Sequence, residues 1–346
     1  MQNSLESMVY SLNLIEFQNQ NIMISNNLMN KTVVITGASS GVGLAAAEAF
    51  AQEGCNLFLA ARGKEALEKA VEICQTLGAF AVGIPTDVSD FKDVEHLTEE
   101  ALKISGTIDV WVNNAGVMAT GRYEETPIEI IDQVIKTNLL GYMHGARSVL
   151  PVFKKQKYGV LINNISIGGW MPAPYGTAYS ASKYGIRGMT ECLQGEVSDE
   201  PDIHICGLYP SIQKSTGNTH SAKYSGLDFK IPPTASDPKK LAAAMVEMAK
   251  NPQKSKFTDF SSLMMKGMYS IMPKPLINTT SAALRLLMKD DSETDTDGNI
   301  LTPSKNPMRI YGETMLSPTK KSKNLLITGL GIAALIFISR QLRPKS

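Results

Sequence analysis

Residues 32–50 read TVVITGASSGVGLAAAEAF, Thr32 to Phe50. A β-branched run ends in a loop with glycines at 37, 41 and 43, and the loop passes directly into an apolar stretch with helical spacing. A strand turning sharply into a helix leaves the first helical N–H groups unpaired at the turn, where the positive end of the helix dipole also lies. Small residues there let a phosphate approach the main chain. Gly37, Ser39, Ser40, Gly41, Val42 and Gly43 are therefore candidate residues for binding the pyrophosphate of a dinucleotide. A glycine loop alone is weak evidence, but here a second strand, NLFLAA (56–61), follows the helix and completes a βαβ unit. The chain carries its own decoy: ITGLGIAA (327–334) has a similar flavour, no such unit behind it, and reads as compositional.

The same alternation continues to about residue 210. Strands are expected at 32–36, 56–61, 79–84, 108–113, 159–165 and 203–209. Helices are expected over 42–52, 64–77, 91–104, 128–153 and 179–198. Strands nearly continuous in apolar residues, separated by helices, indicate a parallel sheet covered on both faces. The fold class is therefore α/β, a Rossmann-like doubly wound parallel sheet in one catalytic domain over 29–289, with a helical C-terminal extension.

Composition sets limits. The chain of 346 residues is 43% apolar and 19% charged with a net charge of +1, which suits a globular protein and gives no reason to invoke nucleic acid. Four cysteines and four histidines are scattered without ligand spacing, so no metal site is expected, and reduced thiols point to a cytoplasmic catalytic domain. Residues 1–28, rich in Asn, Gln and Ser, read as a disordered tail. Residues 290–323, polar and proline-punctuated, read as a linker. Within 324–340, Leu325 to Ser339 carry no charge and are flanked by basic residues, which makes the segment a candidate membrane anchor. Docking of that segment on the domain is the alternative.

At the end of the second strand an acidic residue would bind the ribose 2′-hydroxyl of NAD(H). Here Ala60 and Ala61 are followed by Arg62, whose guanidinium suits the 2′-phosphate of NADP(H). NADP(H) is favoured over NAD(H), with an ordinary solvated arginine as the alternative.

Further along, YSASK (179–183) sets Tyr179 and Lys183 four residues apart on one helical face. With TGASSGVG upstream, the chain resembles the short-chain dehydrogenase/reductase superfamily over roughly residues 31–217. Tyr179 and Lys183 match its YxxxK pair, and Asn113-Asn114-Ala115-Gly116 matches its NNAG motif. Asp87 and Val88 match its adenine contact, Ser166 its catalytic serine, and Asn138 its fourth catalytic residue. The resemblance implies that Tyr179 is the acid–base and that Lys183 lowers the phenol's pKa and holds the nicotinamide ribose. It further implies that Ser166 holds the substrate oxygen and that Asn138 holds a water linking Lys183 to solvent. Pro210 is retained after the sixth strand, Ser211 replaces a glycine, and Ser215 stands where a threonine contacts the nicotinamide. The family's seventh strand is not evident. Members commonly form dimers or tetramers, so a homodimer or homotetramer is expected by analogy.

The expected function is NADP(H)-dependent interconversion of a small-molecule carbonyl and alcohol. Trp170, Met171, Pro172 and Tyr175 make the loop after Ser166 apolar, which hints at a lipophilic substrate, with Tyr175 lining its pocket. The alternative is a non-catalytic NADP(H)-binding sensor, or a membrane-tethered platform, on the same fold.

Overall fold

The computed structural model describes residues 27–227, 231–286, 288, 295–304 and 309–312. The expected tail falls almost wholly outside these residues, as do much of the expected linker and all of the candidate anchor. Among the described residues no helix is long and apolar enough to cross a membrane.

In chain order the strands are β1 (Thr32–Thr36), β2 (Asn56–Ala61), β3 (Ala81–Pro85), β4 (Val110–Asn113), β5 (Ala119–Thr120), β6 (Gly159–Asn164), β7 (Ile203–Tyr209), β8 (Ala222–Lys223) and β9 (Ser255–Phe257). Seven of them form one sheet in the order β3-β2-β1-β4-β6-β7-β9, every neighbouring pair parallel, while β5 and β8 pair separately. Strand side chains alternate between the faces, and both faces are apolar. Val33 and Ile35 of β1 pack with Leu44 and Phe50 of helix α1 (Gly41–Gln52) and Leu67 of α2 (Lys64–Thr76). Val34, between them, faces the other way onto Leu97 of α3 (Phe91–Ser105). Helix α3 is capped at both ends: the Asp90 carboxylate accepts the Lys92 N–H, and Gly106 closes the far end at φ 77°.

The structure departs from the sequence expectations in four places. The single helix expected at 128–153 is α4 (Ile128–Ile135), a π turn at Lys136–Leu140, and then α5 (Gly141–Gln156). The seventh strand exists as β9, a three-residue edge strand on β7. Leu28, assigned to the tail, is buried in the core, and its carbonyl accepts the Cys55 thiol. Finally, the described residues within the expected linker pack on the domain. Residues 295–304 and 309–312 lie against the domain through main-chain pairing of Thr296 with Lys223, and Ile300 and Ile310 are buried.

Under the sheet's C-terminal half a buried polar chain fixes β4 against β6. Trp111 Nε1 donates to Asn113 Oδ1 (2.8 Å), Asn113 Nδ2 to Asn163 Oδ1 (2.9 Å), and Asn163 Nδ2 to Thr190 Oγ1 (3.0 Å). Gly145 of α5 permits this, since a Cβ there would lie 2.3 Å from Asn113 Oδ1. Gly145→Ala should lower stability by about 2–4 kcal/mol, through overpacking and a broken buried bond. Urea denaturation checks this, and an unchanged midpoint would mean that the network tolerates a methyl group.

Candidate active site

The glycine loop is built on contacts only glycine allows. Gly37 adopts φ +65° with the Ala115 main chain 2.7 Å from where its Cβ would stand. A Cβ on Gly43 would meet the Gly37 carbonyl at 2.0 Å. The loop therefore folds tightly over the start of α1. Ser40 precedes the helix in extended backbone, and its side chain makes no capping bond.

The strand order reverses between β1 and β4, and a ligand crevice is expected at the C-terminal ends of the strands there. A cavity of about 500 Å³ lies at that point. The loop residues Gly37, Ser39, Ser40, Gly41, Val42 and Gly43 line one part of it. Arg62 from the end of β2, Asp87 and Val88 after β3, and Asn114, Ala115 and Gly116 after β4 line the adjoining wall. Ser166, Tyr179, Lys183, Pro210 and Ser215 complete it. The residues present fit a dinucleotide: the cradle admits no Cβ, and Asn164 Oδ1, Gln213 Oε1 and His220 Nε2 are buried without partners on residues lining the same cavity. Buried polar atoms of this kind call for a ligand or water.

Arg62 is not a freely solvated cation. Its guanidinium donates to the main-chain carbonyls of Ile300 (2.9 Å) and Asn299 (2.5 Å), and burial lowers its pKa. The Asp87 carboxylate accepts both the N–H and the hydroxyl of Ser89.

At the other end of the cavity Ser166, Tyr179 and Lys183 come together. Ser166 follows β6 at φ 101°, ψ 154°, a backbone conformation that side chains other than glycine's rarely adopt and that is found where function over-determines geometry. Its Oγ accepts the Gly168 N–H at 3.1 Å, so it also caps the short turn after the strand. Tyr179 and Lys183 project from α6 (Thr177–Glu196). Burial raises the Tyr179 pKa, and a hydrogen bond with Ser166 works against that rise. Burial lowers the Lys183 amine to about 7. Its Nζ donates to the Asn164 carbonyl at 3.1 Å and lies 5.0 Å from the Tyr142 ring centre and 5.6 Å from that of Tyr179. The expected lowering of the phenol by a fixed lysine charge is thus reversed here. The same burial that would strengthen the attraction also draws the lysine's own pKa down to about 7, so its charge is only partly present at neutral pH.

Asn138 reaches the site indirectly. The π turn points it inward, fully buried, where Oδ1 accepts the Val117 N–H (2.8 Å) and Nδ2 donates to the Val117 carbonyl (2.9 Å) and Ser182 Oγ (3.1 Å). It clasps the loop after β4 to α6, and its described bonds do not include Lys183. Tyr175 lies between Pro174 and Gly176, both of which line the cavity. It sits at φ 64° with its carbonyl accepting the Gly121 N–H, and it is not among the residues lining the cavity. Trp170 packs between Arg187, Lys266, Tyr209 and Phe257, away from the pocket. Met171 and Pro172 do line it. Met265, from the Met-rich stretch 264–272 whose sequence suits either a greasy substrate or a membrane, also lines the cavity, whereas Ile212, Leu227 and Leu284, drawn from loops and helices with no motif of their own, escape sequence reasoning.

Comparison with known proteins agrees with this geometry. The family model described as short chain dehydrogenase matches residues 31–224, more than half of the chain. A ketoacyl reductase, HetN, of a Nostoc species is 31% identical over 226 residues, covering 65% of this chain and 77% of that protein. A 3beta-hydroxysteroid dehydrogenase of Eggerthella lenta is 35% identical over 195 residues, 56% of this chain and 74% of that protein. Among solved structures, a short chain dehydrogenase/reductase from Burkholderia phymatum in complex with NAD superposes with a TM-score of 0.65 at 25% identity, covering 71% of this chain and 94% of that one. Motif order, sheet topology and family match coincide, and the chain belongs to the short-chain dehydrogenase family of oxidoreductases.

Proposed function

We propose that this chain is an NADP(H)-dependent oxidoreductase that interconverts a lipophilic carbonyl compound and its alcohol, with Tyr179 as the acid–base. The observation that carries this reading is the placement of Tyr179, beside Ser166 and Lys183, in the same cavity as the glycine loop. Such a cavity can hold a dinucleotide at one end and a reacting carbonyl at the other.

When bound, the nicotinamide supplies or accepts the hydride. The protein's own groups handle the proton. A phenol raised by burial keeps its proton, as the acid for carbonyl reduction must, and delivers it from Oη to the substrate oxygen. Because Ser166 Oγ accepts from Gly168, its hydrogen is available to the same oxygen and stabilises charge developing there. Lys183 is held against the Asn164 carbonyl beside Tyr179, in reach of the cavity. Asn138 acts through others, as a positioning residue that keeps α6 against the loop after β4.

Support for NADP(H) comes from Arg62 at the end of β2, where the preceding residues offer no carboxylate. Support for a lipophilic substrate comes from Met171, Pro172, Ile212, Leu227, Met265 and Leu284 in the lining. Two relatives are named for ketoacyl and steroid chemistry, which is compatible with it.

Tyr179→Phe should cut turnover of carbonyl substrates by roughly 10²–10⁴ while leaving NADPH binding nearly intact. Retained turnover, measured as NADPH oxidation, would sink the assignment. Lys183 adds a pH prediction. The unfolded chain protonates this amine below about its ordinary 10.5, and the folded chain only below about 7. Stability relative to Lys183→Met should therefore be fully present above 10.5, fall as pH drops toward 7, and level off below it. Denaturation midpoints of both proteins across that range check this, and a difference independent of pH would contradict a buried, deprotonated amine.

A further inference from the structure

The described C-terminal residues lie across the cofactor cavity and occupy two of its polar groups. Thr296 pairs with Lys223 through two main-chain bonds of 2.8 and 2.9 Å, and the Tyr224 hydroxyl donates to the Asp297 carboxylate at 2.5 Å. The Asn299 N–H donates to the His220 carbonyl at 2.9 Å, and Ile300 is fully buried among Val117, Ile130 and Tyr224. Farther along, the Gly312 N–H donates to the Lys214 carbonyl at 3.1 Å, and Tyr311 bridges Ser215. These contacts hold a strap, 295–304 and 309–312, against the domain.

Three strap carbonyls point at the cofactor site. Those of Asn299 and Ile300 take Arg62, and that of Arg309 accepts the Gly41 N–H at 3.0 Å. Gly41 is the first residue of α1, and its N–H is one of the unpaired donors that make a helix start an anion site. A carbonyl on that hydrogen stands where a pyrophosphate oxygen would go. A carbonyl pair on the guanidinium likewise takes the face that a 2′-phosphate would use. Asn299, Pro303 and Ser304 line the same cavity.

We propose that this strap is an internal competitor for the cofactor and sets its selectivity: the Arg309 carbonyl opposes any pyrophosphate at Gly41, while the Asn299 and Ile300 carbonyls oppose only the 2′-phosphate at Arg62. Cofactor binding then requires the strap to leave its seat, and a looser strap favours NADP(H). The selectivity half rests on the reading of Arg62 given above. The competition at Gly41 does not.

The test uses the full chain with substitutions outside the site. Gly298→Val places a Cβ 2.3 Å from the His220 carbonyl at φ +55°, and Ile300→Asp puts a charge in the buried cluster. Tyr224→Phe removes only the hydroxyl that holds Asp297, and it keeps the test open should either of the others fail to fold. Dissociation constants for NADPH and NADH are read by fluorescence, with cofactor-free denaturation as the folding control. NADPH should bind about tenfold tighter in folded variants, a change of about 1.4 kcal/mol, and NADH should gain less. Unchanged or weaker binding of both cofactors would overturn the proposal and make the strap a cover that closes on them. Equal gains for both would overturn the selectivity half. Arg62→Asp then separates the two readings, since an unchanged NADPH to NADH ratio in that variant removes Arg62 from cofactor choice and leaves Tyr179 chemistry untouched.

Discussion

The site depends on one clasp at the reversal of the sheet. The Thr36 hydroxyl at the end of β1 accepts the N–H groups of Asn114 (3.0 Å) and Ala115 (3.1 Å) and donates to the Val112 carbonyl (3.2 Å). The Asn114 side chain returns the contact, donating to the carbonyls of Thr36 (3.0 Å) and Gly37 (3.3 Å). The loops after β1 and β4 are thereby bound to each other while the strands' crossover helices lie on opposite faces. Asn114 Oδ1 also accepts Asn164 Nδ2 (3.0 Å), and the Asn164 carbonyl accepts both Lys183 Nζ and the Tyr142 hydroxyl. An unbroken set of hydrogen bonds runs from the glycine loop to the reacting end. Hydrogen bonds in such a buried network strengthen one another, and this one joins the glycine loop to Lys183, whose Nζ lies 5.6 Å from the Tyr179 ring centre.

Burial then governs the chemistry. In the cavity it raises the phenol and draws the amine down to about 7, so the lysine is no longer a permanent cation at neutral pH. The spacing of YSASK places the two groups together, but spacing alone does not fix their charges. A lysine treated as a permanent cation would lower its neighbour, whereas a lysine that shares the same desolvation gives up part of that influence.

Legibility followed the size of the apolar signal. The boundaries of β1, β2 and β7 are readable to the residue because buried parallel strands are continuous apolar runs, and the glycine loop, Asp87, Asn114 and Ser166 line one cavity because each follows the C-terminal end of a strand. The edge strand β9, only Ser255–Phe257 and partly exposed, carries no such run. The π turn at Lys136–Leu140 keeps helical spacing on either side, which hides it from a periodicity argument. The turn of the Tyr175 backbone at φ 64° is likewise hidden, since its residue type does not announce that conformation. The strap resembles a linker in sequence because main-chain bonds and two isoleucines, Ile300 and Ile310, seat it, and a polar composition conceals both.

The central claim is that the dinucleotide lies on the start of α1 and runs along the clasp to Tyr179. Amide hydrogen exchange with and without saturating NADPH tests it directly. Exchange should slow across 36–43 and 113–117, where the loops contact the cofactor, and speed up across 295–304 as the strap leaves. Saturation with no slowing at 36–43 would place the cofactor elsewhere and contradict the account.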